Sequence, residues 1–355
     1  MTMQRARVAL LRRLRTHLAV VLLALLGLPV LVAWARWIPD PAAETRSIGT
    51  NALWLRHSWV GEAHSDADYA NLAQVLRANQ ISDAYFHAGP IEGDGRILPF
   101  RYGYGLELLA ALHRYAPDIH VQAYIGQLLT RAGGPLDLHE GAARARILSS
   151  ARALLDLGFD GIHYDIEPVA PSDSDFLDLL QRTHDLTRAH GAVLSVSIQR
   201  LEPLNGSQEA AQGLLSRLGH PWSFTTQAFL RQVADRVDQV AVMVYDMPLP
   251  TASLIGSIYA WEAAHVLDLI GDRATVFIGV PTYEEGPHLT GEDLRTAIRG
   301  ARLGIDQLRR KQSRPYGLAV FAEWTTSRRE WALWQREWVQ PVGRGRGDLP
   351  KPSID

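Results

Sequence analysis

The chain contains no cysteine. That absence excludes disulfides, thiolate metal sites, a cysteine nucleophile and anchoring through a lipid-modified cysteine, and it leaves the compartment open. Charge imbalance is also lacking: the net charge is −2, so nothing in the balance calls for nucleic acid. No glycine-rich phosphate turn follows the first β-prone run, which disfavours an open dinucleotide-binding sheet. None of the 13 histidines falls in an H-x-x-x-H spacing that would put two metal ligands on one helical turn. No metal and no cofactor is expected.

What is present is a large apolar fraction, 47% of 355 residues against 21% charged, enough for a substantial core. Barrels of alternating strands and helices reach about 250 residues as single units, so one large domain is expected. Arg5, Arg7, Arg12, Arg13 and Arg15 precede an uncharged apolar run from Leu18 to Ala35. Basic residues stay on the cytoplasmic side of a membrane, so 1–35 reads as a signal peptide or membrane anchor and the remainder as exported, either periplasmic or extracellular. Residues 36–50 are polar and proline-bearing and read as a linker. The domain is expected over 51–340, with a frayed tail over 341–355.

Short β-prone runs recur between helix-like stretches at 51–59, 81–89, 119–128, 159–168, 193–200, 238–246, 275–283 and 317–324. Segments such as 66–79, with Leu72, Val75 and Leu76, carry helical spacing. Eight alternating units with right-handed crossovers predict a closed (β/α)8 TIM barrel behind the hydrophobic segment. Near the end, Trp331, Trp334 and Trp338 share a helical face and read as packing residues.

Reacting groups in such a barrel come from the C-terminal ends of strands, which directs attention to the fourth. Side chains alternate across a strand, so His163, Asp165 and Glu167 share one face and Ile162, Tyr164 and Ile166 the other. With the apolar set on the helices, the polar set faces the axis and Glu167 reaches the mouth. Asp165 sits beneath it, where a neighbouring acid raises its partner's pKa or shares a proton with it. Asp160 has the opposite parity and reads as orienting the turn into the strand. The bland alternative is a hydrogen-bonded barrel plug without a catalytic role.

Asp160-Gly161-Ile162-His163-Tyr164-Asp165-Ile166-Glu167 resembles the D-G-x-D-x-D-x-E strand of glycoside hydrolase family 18, the chitinase-like barrels. Met243-Val244-Tyr245-Asp246 is similar to that family's M-x-Y-D, and Gly279-Val280-Pro281-Thr282-Tyr283 to its G-[VL]-P-x-Y, in the same strand order. The resemblance implies that Glu167 protonates the glycosidic oxygen and then activates water. Asp165 would orient and stabilise the substrate's own N-acetyl group as it attacks the anomeric carbon, a route that needs no enzymic nucleophile. Tyr245 would hydrogen-bond the acetamido oxygen, Asp246 would hold sugar hydroxyls or Tyr245, and Met243 would line the pocket floor. The implied substrate is a glycan containing N-acetylglucosamine.

Two departures stand out. His163 replaces the family's middle aspartate, so the deep carboxylate pair is missing, and the third strand reads Tyr124-Ile125-Gly126-Gln127 in place of S-x-G-G. His163 is expected beside the substrate, hydrogen-bonded to Asp165. For the family's eighth-strand tryptophan, Phe321 and Trp324 both compete; Trp324 is preferred as following the strand's end. Trp54, Trp59, Tyr85 and Tyr283 are candidates to stack on sugar rings, and Trp222 and Phe224 lie in a long 201–226 connection that suits a wall or lid.

Three other readings stay open. Glu167 with Glu284 or Glu285 as covalent nucleophile would make a retaining pair, which needs its carboxyl groups about 5–5.5 Å apart. A barrel that binds sugar without turning it over would explain His163. A metal hydrolase would need His57, His87 and His163 to converge from three strands.

Overall fold

The computed structural model describes residues 40–202, 224–247, 249, 251–282, 292–308 and 313–340. Eight parallel strands close into a barrel in sequential order. They are β1 (Ala52–Leu55), β2 (Asp83–Pro90), β3 (His120–Leu128), β4 (Gly161–Glu167), β5 (Val193–Gln199), β6 (Gln239–Met243), β7 (Thr275–Pro281) and β8 (Tyr316–Phe321). Helices alternate with them: α1 (Asp66–Ala78), α2 (Gly105–Tyr115), α3 (Gly141–Leu157), α4 (Ser174–Ala189), α5 (Gln227–Ala234), α6 (Ala252–Ile270), α7 (Leu294–Asp306) and α8 (Arg328–Trp334). This is the (β/α)8 barrel that the spacing predicts.

Local chemistry sets the boundaries. Ser65 and Asp68 form a reciprocal capping box at the start of α1, and Ser327 and Glu330 do the same for α8. α3 stops at Gly158, whose φ of 114° no β-carbon tolerates easily, and the chain turns into β4. Asp160 fixes that entry as its parity predicts: its carboxylate accepts from the Val121 amide at 2.8 Å and pairs with His113 at 2.9 Å. Asp238 repeats the device before β6, accepting from the Leu194 amide at 2.8 Å.

Two cores result. Ile162, Tyr164 and Ile166 of β4 belong to the large core between strands and helices, where the Tyr164 hydroxyl meets Thr183 of α4 at 2.9 Å. The barrel interior holds a smaller cluster built on Ala52, Trp54, Tyr85, Ala241, Phe277 and Ala319. Towards the strands' N-terminal ends that interior is polar yet paired: Gln122 and Gln239 donate to Asp83 at 2.9 and 2.7 Å. Such a bonded plug closes the barrel with its amide nitrogens paired, and leaves Gln122 Oε1 as a buried oxygen without a partner among the described residues.

The predicted linker is less free than its composition suggests. Arg302 of α7 donates to the carbonyls of Thr45 and Ala42 at 2.7 and 2.6 Å, and the Ser47 amide donates to Trp338 at 2.9 Å. Residues 42–47 are therefore a strap, its backbone satisfied by an arginine distant in sequence. The tryptophans of the last helical segment pack as expected, Trp334 and Trp338 fully and Trp331 partly. Their polar edges are used too, Trp338 donating to Asn51 at 2.7 Å and Trp334 to the Asn79 carbonyl at 3.1 Å. Among the described residues no helix is long and apolar enough to cross a membrane; the apolar run 18–35 lies outside them, as does the tail 341–355.

Candidate active site

Because Ile162, Tyr164 and Ile166 pack outward, His163, Asp165 and Glu167 project into the barrel, successive members roughly 6.6 Å apart along the strand. Gly126 of β3 pairs in register with Asp165, and a β-carbon there would lie 2.4 Å from the Asp165 carbonyl oxygen. Glycine lets the two strands approach at the level of the site.

Asp165 and Glu167 act on one another. Burial raises the Asp165 carboxyl, and hydrogen bonding with Tyr124, Glu167 and Ser197 holds that rise back. The firmest of these bonds comes from the Tyr124 hydroxyl to Asp165 Oδ2 at 2.8 Å; Oδ1 has no partner in hydrogen-bonding geometry. Glu167 is pushed well above the carboxylate range, first by burial, then by the Asp165 charge and their mutual hydrogen bonding, then by Asp246. A carboxyl whose hold on its proton is strengthened in this way is suited to deliver that proton to a leaving group.

Tyr245 follows β6 and closes the far side. It is almost wholly buried, and its hydroxyl is raised by burial and then by Asp165 and Glu167, which places it in the field of both carboxylates. Asp246 beside it is exposed and takes a left-handed φ of 61°. Arg200, just after β5, holds this turn by donating to the carbonyl oxygens of Tyr245 at 2.8 Å and Asp246 at 3.4 Å. Arg200 is buried with Glu262 of α6 as an electrostatic neighbour, and burial pushes the Glu262 carboxyl up to about 8. Met243 is partly buried on the inner face that it shares with Ala241.

Aromatic rings complete the wall. Phe321 ends β8 and stacks on Tyr245 with centroids 5.1 Å apart, and Trp324, beyond the strand, meets Phe321 edge-on at 5.6 Å. Both reach the inner cluster, because leaving the strand frees Trp324 from the alternation that would otherwise oppose them. A cavity of about 480 Å³ opens here, lined by Arg56, His57, His87, Tyr124 and Trp324. His57 donates from Nδ1 to the His87 carbonyl at 2.8 Å. Burial, and then the charges of His57 and Arg101, pushes the His87 imidazole down to about 4.

Several expected residues sit elsewhere. His163 is 0% exposed and cannot meet a substrate. Its Nε2 accepts from the Trp54 indole at 3.1 Å, which puts the ring proton on Nδ1, facing Ser195 Oγ at 2.9 Å; Ser197 Oγ also reaches Nε2 at 2.9 Å. Both ring nitrogens are thus engaged away from Asp165, and burial pushes the imidazole well below its ordinary value, so it is neutral. Trp54 and Tyr85 are likewise fully enclosed beneath the mouth, Tyr85 stacked on His163 at 3.7 Å, and neither offers a face to a sugar. Trp59 belongs to a helical turn in the outer core, against His64. His57 and His87 adjoin at 5.5 Å while His163 lies below with its nitrogens committed; among the described residues no group of three metal-ligating side chains occurs. Phe224 is buried. Tyr283, Glu284, Glu285 and Trp222 lie outside the described residues.

Sequence reading missed Tyr124, noticed only as part of a degenerate motif. Its inward parity with Gln122 was the available signal; its register beside His163 shows only in the folded sheet.

Models of known families do not match the chain, and curated proteins give no match either. Solved structures do. The spore cortex-lytic enzyme SleL of Bacillus megaterium is similar at TM-score 0.57 and 11% identity over 85% of this chain and 76% of that one. A chitinase from Chromobacterium violaceum is similar at 0.55 and 12% over 82% and 99%. A class V chitinase from Pseudomonas fluorescens is similar at 0.52 and 16% over 81% and 98%. At such identities the likeness is one of fold: the chain is a (β/α)8 barrel of the shape that these enzymes share.

Proposed function

We propose that the protein is a glycoside hydrolase acting on glycans that contain N-acetylglucosamine, with Glu167 as general acid and then base. The observation that carries this reading is the half-buried pair Asp165–Glu167 at the end of β4, with the Tyr245 hydroxyl in the field of both. The similar barrels, two chitinases and a spore cortex-lytic enzyme, point the same way.

Glu167 gives its proton to the glycosidic oxygen as the bond to the anomeric carbon breaks. The substrate's acetamido oxygen attacks that carbon while Asp165 stabilises the charge developing on the acetamido nitrogen and Tyr245 holds the group. Water activated by Glu167 then opens the cyclic intermediate, which restores the proton to the carboxyl. Tyr124 takes the part of the missing deep carboxylate: it gives Asp165 a neutral partner that the aspartate can leave when it turns to the substrate. Asp246, Met243 and Trp324 would line the sugar site. The basic stretch before residues 18–35 supports action outside the cytoplasm, from a membrane anchor or after cleavage.

The test is an assay of the chain against acetamido-sugar polymers, read as new reducing ends. Hydrolysis with retained anomeric configuration, blocked by a thiazoline analogue of the cyclic intermediate, is expected. Inverted configuration would remove the substrate-assisted step.

A further inference from the structure

The cavity beside the carboxylates differs from them in chemistry. Among the described residues no carboxylate lines it; Arg56, His57 and His87 do, with Tyr124 and Trp324 as the walls that it shares with the site. Tyr124 touches both chambers, its hydroxyl on Asp165 at 2.8 Å and its ring 4.9 Å from that of His87.

The groups facing the cavity have unused hydrogen-bonding capacity. Arg56 engages Glu323 through Nε at 2.8 Å, while its terminal nitrogens have no partner among the described residues. The ring nitrogens of His87 likewise have none among the described residues, the His57 imidazole donating to its backbone carbonyl instead. The His87 imidazole also lies in a positive field from His57 and Arg101. A pocket with an arginine and unused N–H donors, next to a chamber of carboxylates, suits a ligand that carries an anion to one side of its acetamido group.

We infer that this cavity binds a carboxylate borne by a sugar of the glycan chain, so that the preferred substrate is an acidic acetamido glycan rather than chitin. The Arg56 terminal nitrogens and the His87 ring would grip the carboxylate, and Trp324 the ring that bears it. The inference rests on the glycosidase reading and deepens it by naming a substrate class.

Its test uses the full chain carrying Glu167→Gln, titrated calorimetrically with three oligosaccharides of equal length. One alternates N-acetylglucosamine with N-acetylmuramic acid, the second is the same compound with its carboxyl reduced to an alcohol, and the third is a chitin oligomer. A uronate-bearing oligosaccharide and its reduced form give a fourth comparison, which decides between lactyl and uronic carboxylates. The acid form of at least one pair should bind about tenfold tighter than its reduced form. That ratio should fall to within about twofold when Arg56→Gln or His87→Gln is added, the second variant leaving the Arg56–Glu323 pair intact. Equal binding of acid and reduced forms, or a preference that survives both variants, overturns the inference. Failure of the glycosidase reading is seen separately, as absence of hydrolysis by the Glu167-containing chain on every polymer.

Discussion

The hydroxyl of Tyr124 donates to Asp165 Oδ2 at 2.8 Å, across adjacent strands. A donor to the ionised form lowers a carboxyl's proton affinity, so this bond partly offsets the rise that burial imposes on Asp165. Tyr124→Phe removes the donor. Asp165 then holds its proton to higher pH, and the acidic limb of the kcat/KM profile should move upward. The pH profiles of the two proteins check this; an unmoved limb would show that Tyr124 does not govern the pair.

His163 gives a prediction about stability. Burial depresses its folded-state pKa well below 6.5, so the folded protein binds fewer protons than the unfolded chain at mildly acid pH. Its contribution is fully present above pH 6.5 and is lost as pH falls below that value. His163→Gln is expected to be less stable than the parent at pH 7, because three bonds in the barrel interior change. The gap between the two proteins should narrow below pH 6.5, by about tenfold in the folding equilibrium per pH unit. Urea unfolding at pH 7.5, 6.5 and 5.5 measures it, and a constant gap would mean that His163 is not held neutral.

Legibility in the sequence followed how local each determinant is. Alternation along β4 set the inward face correctly, because Ile162, Tyr164 and Ile166 needed the helices. The same rule placed His163 inward but not its depth, which depends on the hydroxyls of Ser195 and Ser197 two strand-residues apart on β5 and on the indole of Trp54 on β1. Trp54 and Tyr85 read as sugar platforms for the same reason: parity says that they face inward, and only the closed barrel says that they lie below the mouth. The strap over 42–47 was hidden because its partner, Arg302, is far away in sequence.

Arg200 holds the turn bearing Tyr245 and Asp246 through two backbone carbonyls. Arg200→Met should lower kcat more than it raises KM, by about 10- to 100-fold, because Tyr245 then loses a fixed position relative to the carboxylates. Arg200→Lys, which keeps the charge and loses the fork, should be intermediate. Steady-state kinetics with a thermal unfolding control decide it; an unchanged kcat with all of the loss in KM would argue against positioning.

Trp324 stands edge-on to Phe321 and lines the cavity mouth. Trp324→Ala should weaken oligosaccharide binding by about tenfold with little change in kcat, as expected for a stacking face that grips ground state and transition state alike. A fall in kcat at constant KM would assign Trp324 to the reaction itself.

Glu167 is the group on which the catalytic reading depends, its proton affinity raised by burial and by Asp165. Glu167→Gln preserves shape and removes the proton donor. Measured side by side with the parent on an acetamido glycan, kcat should fall by about 10²- to 10⁴-fold while calorimetric affinity for the same glycan is retained. Turnover that persists at the parental rate in Glu167→Gln would contradict the assignment of Glu167 as the acid.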